Sequence, residues 1–223
     1  MKIGFKYSLI VFIFYLSASF TPPANFYNAS NKETGPDYLS PLEREVIAEL
    51  NLARTQPKVY AEFLSTYSSY FVGKELHEPG MTILLTKEGK DAVIEAIRFL
   101  KNQKTIAVLT PSKGMSKGAG DMVRMQEVTS QTGHKGIDGS SFTERISRYG
   151  TWNGLCSENI DYGNNNARRI VMALIIDDGV SSRGHRKSIF EPSFRRVGVA
   201  FGSHRTYNYM CVIEYAVSYS EIR

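Results

Sequence analysis

Three side chains in the sequence could carry chemistry together: His134, Glu158 and His185. Both histidines directly follow a glycine, which lets the backbone turn sharply and brings a side chain into a cleft. Glu158 follows an apolar stretch, where a partly buried carboxylate needs a partner. Two imidazoles and a carboxylate can bind Zn²⁺ or exchange protons. Each histidine taken alone is better explained by a local hydrogen bond, and the sequence spacing does not choose between metal binding and proton transfer.

Two further carboxylates, Asp177 and Asp178, lie just upstream of His185 and could add a fourth oxygen ligand. Aspartates are also common in the loop that follows a helix, which is the alternative explanation for this pair. Other chemistries have no support, because the sequence contains no glycine-rich phosphate loop, no Gly-x-Ser-x-Gly elbow and no His-Glu-x-x-His run. No cofactor is therefore assigned, and a divalent metal such as Zn²⁺ is the candidate that remains.

The N-terminus has the pattern of a signal peptide. Lys2 and Lys6 precede an apolar run from Tyr7 to Phe20 that ends in small residues and then in Thr21-Pro22-Pro23. The run is short for a membrane span, which needs about 20 apolar residues. We predict a signal peptide over residues 1–20, with an uncleaved signal anchor as the alternative, and a secreted protein (periplasmic or at the cell surface in a bacterium) with no membrane span after cleavage.

Charge and composition exclude some classes of protein. The chain of 223 residues is 42% hydrophobic, which supports one globular domain with a sizeable core. Its formal net charge is +5, and without Lys2 and Lys6 it falls to 25 basic against 22 acidic residues. The basic residues are scattered, whereas nucleic-acid binding usually needs a concentrated basic face. We therefore predict no nucleic-acid partner.

The two cysteines, Cys156 and Cys211, are predicted to form a disulfide. In an exported protein a pair of cysteines is more often bonded than free, and both stand in apolar runs that read as strands. Neighbouring strands could bring them together. Two buried thiols are the alternative, because free cysteine packs well in a core.

The rest of the chain alternates helices and strands. A polar leader is predicted over residues 21–39 and a single domain over 40–219, with the first helix capped by Ser40 and Glu43. Helices come first and strands are interleaved with later helices, which predicts an α+β fold: an α-β-α sandwich with a central, mostly antiparallel sheet. The predicted helices begin near residues 40, 57, 86, 112, 141 and 167, and the predicted strands lie at 152–160, 197–201 and 207–216.

Five short motifs occur in an order that resembles the CAP superfamily, which contains cysteine-rich secretory proteins, insect venom antigen 5, plant pathogenesis-related proteins and bacterial SCP-like proteins. Residues 44–54 look like the first helix of that domain, and the resemblance covers residues 41–218. The short segment from Arg186 to Phe190 looks more like the bacterial type. The motifs are Thr132-Gly133-His134, the 139–146 segment, Ser157-Glu158-Asn159-Ile160, the 182–190 segment with Gly184-His185, and Phe194-Arg195-Arg196-Val197-Gly198-Val199-Ala200.

The resemblance implies an extracellular sandwich with a central cleft. In many members two histidines and two acidic residues line this cleft and can hold a divalent metal. His134, Glu158 and His185 match three of these positions, and Asp178 is taken as the fourth, with Asp177 as the neighbouring choice. The sequence thus predicts metal ligands at His134, Glu158, His185 and Asp178, and it assigns no residue a catalytic role.

Three functions are compatible with these features. The preferred hypothesis is a non-enzymatic extracellular binding module for a lipid or sterol, a glycan or a protein, because CAP members share a fold but differ in role. The second is a metal-assisted hydrolase acting on peptide or cell-wall material, with Glu158 as general base. The third is a structural domain with an inert cleft. The absence of a clear fourth acidic ligand counts against the hydrolase.

Overall fold

A computed structural model describes residues 36–222. The predicted signal peptide and most of the predicted leader lie outside these residues. The last part of the leader forms a turn, and Leu39 is buried in the core, where its carbonyl accepts a hydrogen bond from Arg44. Leu39, which precedes the predicted domain start at residue 40, thus contributes to the core.

Seven helices lie within the described residues. The cap predicted from sequence is present, since Ser40 and Glu43 form the capping box of α1. Ser112 caps α4, and Asn166 caps α6. Among the described residues no helix is both long enough and apolar enough to cross a membrane. The helices are α1 Pro41–Thr55, α2 Pro57–Ser68, α3 Lys90–Asn102, α4 Lys113–Glu127, α5 Phe142–Ser147, α6 Ala167–Ile176 and α7 Gly184–Ile189.

Seven strands form two sheets within the same residues. The small sheet has the order β1-β2-β3, and the central sheet has the order β4-β6-β7-β5. In the central sheet β4 pairs parallel with β6, and the other two pairings are antiparallel. The strands are β1 Phe71–Val72, β2 Glu75–Leu76, β3 Leu84–Leu85, β4 Thr110–Pro111, β5 Gly150–Tyr162, β6 Arg196–His204 and β7 Asn208–Glu221.

The central sheet separates a large hydrophobic core on one face from two smaller clusters on the α4 face, which confirms the predicted sandwich. Alternate residues of β7 point to opposite faces. Cys211, Ile213 and Tyr215 pack with α1, α2, α3, α6 and α7, whereas Met210 and Val212 pack with α4. On the α4 side a Cβ at Gly198 of β6 would lie 2.3 Å from the backbone of Met115. That glycine therefore allows α4 to lie directly on the sheet.

The disulfide prediction is wrong, because Cys156 and Cys211 are both free. They stand on neighbouring strands, as expected, but Cys156 is opposite Ala216 and Cys211 is opposite Asp161. Five residues along a strand separate the two positions by about 17 Å, whereas a disulfide needs Cα atoms within about 7 Å. The cysteines also belong to the two different cores, on opposite faces of the sheet.

Alkylation under denaturing, non-reducing conditions should therefore modify both thiols, and mass spectrometry would count the two adducts. In the native protein we expect Cys211 to stay unmodified, because it is fully buried and burial raises the pKa of its thiol well above the usual range. Cys156 is partly exposed and should react slowly, since burial raises the pKa of its thiol as well. A peptide pair joined through Cys156 and Cys211 in the non-reduced digest would contradict this prediction.

Candidate functional site

The candidate site lies at the edge of the central sheet, where β5 has a neighbour on one side, β7. Glu158 faces the α4–α5 layer, and the next residue, Asn159, faces the layer of α6 and α7. Asn159 is fully buried and donates from its side-chain amide to the carbonyl of His185, at 3.0 Å. Glu158 and Asn159, which are consecutive on β5, thus contact His134 and His185 respectively. The two histidines approach the sheet edge from opposite faces of the sheet. Their ring centroids are 6.4 Å apart.

His134 lies in the loop between α4 and α5, and that loop is held by its backbone. Gly133 has a φ of +97°, a conformation open to glycine but costly for other residues. Its N–H donates to the Tyr162 hydroxyl at 3.0 Å, and its carbonyl accepts from the Gln126 amide at 2.9 Å. The Tyr162 hydroxyl in turn donates to Gln126 Oε1. The turn that presents His134 is therefore fixed on both sides of the glycine.

Glu158 orients the His134 ring. His134 Nδ1 is 2.8 Å from Glu158 Oε1, and the imidazole is 52% exposed while the carboxylate is almost completely buried. The second oxygen of Glu158 accepts from Arg145 of α5 at 2.5 Å. Arg145 also donates to the carbonyls of His134 and Ser140. One buried arginine thus fixes both the carboxylate that holds the ring and the backbone that carries it.

Glu214 of β7 lies directly opposite Glu158 in the antiparallel register and is fully buried. Neither of its oxygens has a hydrogen-bond donor among the described residues. Burial, and then the charge of Glu158, raise the pKa of Glu214 well above the usual value, and Arg145 opposes this only in part. Burial beside a second carboxylate thus favours the protonated form of Glu214.

His185 is oriented from the other face by Asp177. The ring Nδ1 is 2.6 Å from Asp177 Oδ1, and the His185 backbone N–H donates to Asp177 Oδ2 at 2.9 Å. Asp177 is buried and ends α6 in a left-handed conformation with a φ of 57°. The His185 side chain is 25% exposed and belongs to the first turn of α7.

Arg183, which precedes this turn, also has a positive φ, of 52°. Its guanidinium bonds Glu88 and Glu95 and donates to the Asp177 carbonyl at 2.8 Å. These contacts hold the start of α7 against the end of α6 and the start of α3. The position of His185 is thus set by long-range ion pairs rather than by its own short helix.

Asp178, the residue predicted as fourth ligand, points away from both histidines. Its two carboxylate oxygens accept from the backbone N–H groups of Lys87 and Glu88, both at 2.7 Å. The neighbouring Asp177 takes the place by His185 instead. The left-handed turn at Asp177 is the reason, since it ends the helix and directs the next side chain toward the segment before α3.

These residues do not fit a four-ligand metal centre. Glu158 is occupied by His134 and Arg145, and Asp177 is occupied by the ring and backbone of His185. Between residues 36 and 222 no group of three or more His, Cys, Asp or Glu side chains is placed to hold a metal ion. A carboxylate at Nδ1 favours the tautomer with its proton on that atom. In that tautomer, each neutral imidazole presents its Nε2 as a hydrogen-bond acceptor.

Fold and site together define an α-β-α sandwich with a pair of carboxylate-bound histidines at the sheet edge. The family model for the cysteine-rich secretory protein family, CAP, matches residues 92–217, more than half of the chain. The chain therefore belongs to the CAP family. The resemblance of residues 44–54 to the first CAP helix lies outside the matched range and stays a prediction. A comparison with curated proteins finds no match.

Two solved structures are similar to this chain. One is an outer surface protein from Borrelia burgdorferi, at 16% identity and a TM-score of 0.43, covering 57% of this chain and 92% of that one. The other is an extracellular protein containing an SCP domain from Bacillus anthracis, at 15% identity and a TM-score of 0.41. That match covers 56% of this chain and 38% of the Bacillus protein.

Proposed function

We propose that this CAP protein is a secreted or cell-surface binding module that uses the His134–His185 pair to hold a polar group of its ligand. The observation that carries the proposal is that both rings are anchored in the same way. Each Nδ1 is bonded to a buried carboxylate, and the ring centroids are 6.4 Å apart. Such an arrangement fixes two Nε2 acceptors before any ligand arrives, which reduces the ordering cost of binding.

A hydroxyl or N–H group of the ligand is the partner that two such acceptors recognise. Glycans, sterols and peptides all offer these donors. The hydrolase that uses Glu158 as general base is disfavoured because this carboxylate is already bonded. Glu158 is held by Arg145 and His134, so its oxygens are not available to activate a water.

The test compares three forms of the secreted protein on one immobilised panel of glycans and sterols. We expect wild type to retain at least one probe and the His134→Ala/His185→Ala variant to lose it by about tenfold or more, since two fixed hydrogen bonds are removed. His77→Ala is the matched control. That imidazole is exposed, bonds only Glu75 among the described residues, and follows β2 of the small sheet, away from the edge of the central sheet.

Two results would contradict the proposal. Unchanged binding by the double variant would mean that the histidine pair is not the ligand site. Hydrolysis of a probe that requires Zn²⁺ and disappears in the double variant would favour the metal-dependent enzyme. The melting temperature measured with and without added Zn²⁺ on the same three proteins separates this second result from a contaminating hydrolase.

A further inference from the structure

His204, the last residue of β6, is the most buried of the four histidines and lies outside the His134–His185 pair. Its side chain belongs to a residue that is 2% exposed. The other three histidine rings each bond a carboxylate. The His204 ring instead bonds backbone groups through both of its nitrogens, and these groups belong to two different segments. A buried imidazole with such contacts can hold the two segments in a fixed relation.

The hydrogen bonds of His204 define its tautomer. Its Nδ1 accepts from the backbone N–H groups of Thr206 and Tyr207, at 3.2 and 3.3 Å, in the turn that joins β6 to β7. The ring proton is therefore on Nε2, which donates to the carbonyl of Gln131 at 2.9 Å. Gln131 lies in the loop between α4 and α5. One neutral imidazole thus connects the β6–β7 turn to that loop.

Tyr162 of β5 bonds the same loop two residues further along the chain. The N–H of Gly133 donates to the Tyr162 hydroxyl at 3.0 Å. The rings of Tyr162 and His204 are in edge contact, with centroids 5.2 Å apart and an interplanar angle of 75°. His204 therefore contacts the loop directly at Gln131 and supports the ring that bonds it at Gly133. The residue that follows Gly133 is His134.

We propose that His204 is a positioning residue for His134. Its contacts keep the turn at Gly133, which has a φ of +97°, in the place where the Nδ1 of His134 meets Glu158. Arg145 bonds the carbonyl of His134 itself, so the backbone is anchored both before and after the turn. The consequence for ligand binding rests on the proposed function, whereas the orientation of the His134 ring does not.

Two substitutions separate the roles of the two ring nitrogens. The amide oxygen of asparagine takes the place of Nδ1, so His204→Asn can still accept from the β6–β7 turn but does not reach Gln131. The amide nitrogen of glutamine extends to the place of Nε2, so His204→Gln can still donate to the Gln131 carbonyl. Both variants lose the ring contact with Tyr162, so the difference between them reports the bond to Gln131.

NMR of the His134 ring nitrogens gives the first measurement, at a mildly alkaline pH where free imidazoles are neutral. Wild type and His204→Gln should carry the His134 proton on Nδ1, next to Glu158, whereas His204→Asn should shift toward the tautomer mixture of a free imidazole. Amide hydrogen exchange gives the second. Exchange at Gly133 should be about tenfold faster in His204→Asn than in His204→Gln, and the order should be reversed at Tyr207.

The control is His77→Asn, the same substitution at an exposed ring, which should leave the His134 signals unchanged. On the panel of glycans and sterols, His204→Asn should retain the probe up to about tenfold more weakly than His204→Gln. If wild type retains no probe, the proposed function fails, and the tautomer of His134 still tests the role of His204. The two failures are therefore distinguishable.

Three results would overturn the proposal. One is a wild-type His134 tautomer in His204→Asn, and another is equal Gly133 exchange in the two His204 variants. Either would leave His204 as a residue that only caps the β6–β7 turn. The third needs no variant and therefore no assumption about folding: a wild-type His204 ring with its proton on Nδ1 could not donate to Gln131 from Nε2.

Discussion

Arg54→Met should lower the free energy of unfolding by about 3–5 kcal/mol, because it removes a buried cation and leaves several buried carbonyls unpaired. Arg54 is completely buried near the end of α1. Its guanidinium donates to the carbonyls of Ala107, Ile189, Glu191 and Phe194 at 2.6 to 3.1 Å. Desolvation lowers its pKa to about 10, so it stays protonated at neutral pH.

Urea unfolding followed by circular dichroism would measure the loss, with Arg98→Met as control. Arg98 is exposed on α3, and the same substitution there should change the free energy of unfolding by less than about 0.5 kcal/mol. The four carbonyls belong to segments before β4 and around the end of α7. If Arg54→Met unfolded at the same urea concentration as Arg98→Met, the hydrogen bonds of the Arg54 guanidinium would not stabilise the packing of α1 against these segments.

Glu214→Gln should stabilise the protein at neutral and alkaline pH and have little effect near pH 4. In wild type, burial and the neighbouring Glu158 raise the pKa of the folded Glu214 well above its usual value. At a pH above about 4.3, the usual pKa of a glutamate, Glu214 has lost its proton in the unfolded chain but still keeps it in the folded protein. The stability contributed by Glu214 is therefore full below that pH and falls by up to about 1.4 kcal/mol per pH unit until the folded residue ionises.

Glutamine keeps the shape and the donor of the protonated acid, but it cannot ionise. The difference in unfolding free energy between Glu214→Gln and wild type should therefore grow as the pH rises from 4 to 8, as measured by urea unfolding at several pH values. Glu191→Gln is the control, and its difference in unfolding free energy from wild type should change with pH in the opposite direction. The reason is that hydrogen bonds from Ser193 lower the pKa of Glu191. A constant difference for Glu214→Gln across this pH range would show that the folded Glu214 is not held as the acid.

Local signals in the sequence are enough to predict most of the main helices and strands. The predicted cap at Ser40 and the predicted start near Ala167 agree with the structure, because capping side chains act within one turn. The three strands of the small sheet escape prediction, since two-residue strands show no periodicity. The predicted start of α3 is too early because the segment from Thr86 bonds to Lys74 and Asp178 instead of forming a first turn.

The site is only partly predictable, because local sequence signals do not report burial or strand register. The glycines before His134 and His185 are visible signals, and the structure brings both rings together. Arg145 and Glu214 give no local signal, because their roles depend on burial and on strand register. The alternation of β7 could have revealed Glu214, which occupies the same face as Met210 and Val212. Choosing Asp177 over Asp178 requires the left-handed turn at the end of α6.

The approach of the two imidazoles from opposite sides of the sheet has a mechanical consequence. His134 is carried by the layer of α4 and α5, and His185 by the layer of α6 and α7. A ligand bound by both rings would connect the two helical layers across the sheet edge, so local unfolding of either layer would release it. By linkage, a ligand at about one hundred times its Kd would stabilise the whole sandwich by about 2.7 kcal/mol. Occupancy would then protect both layers from proteolysis at once.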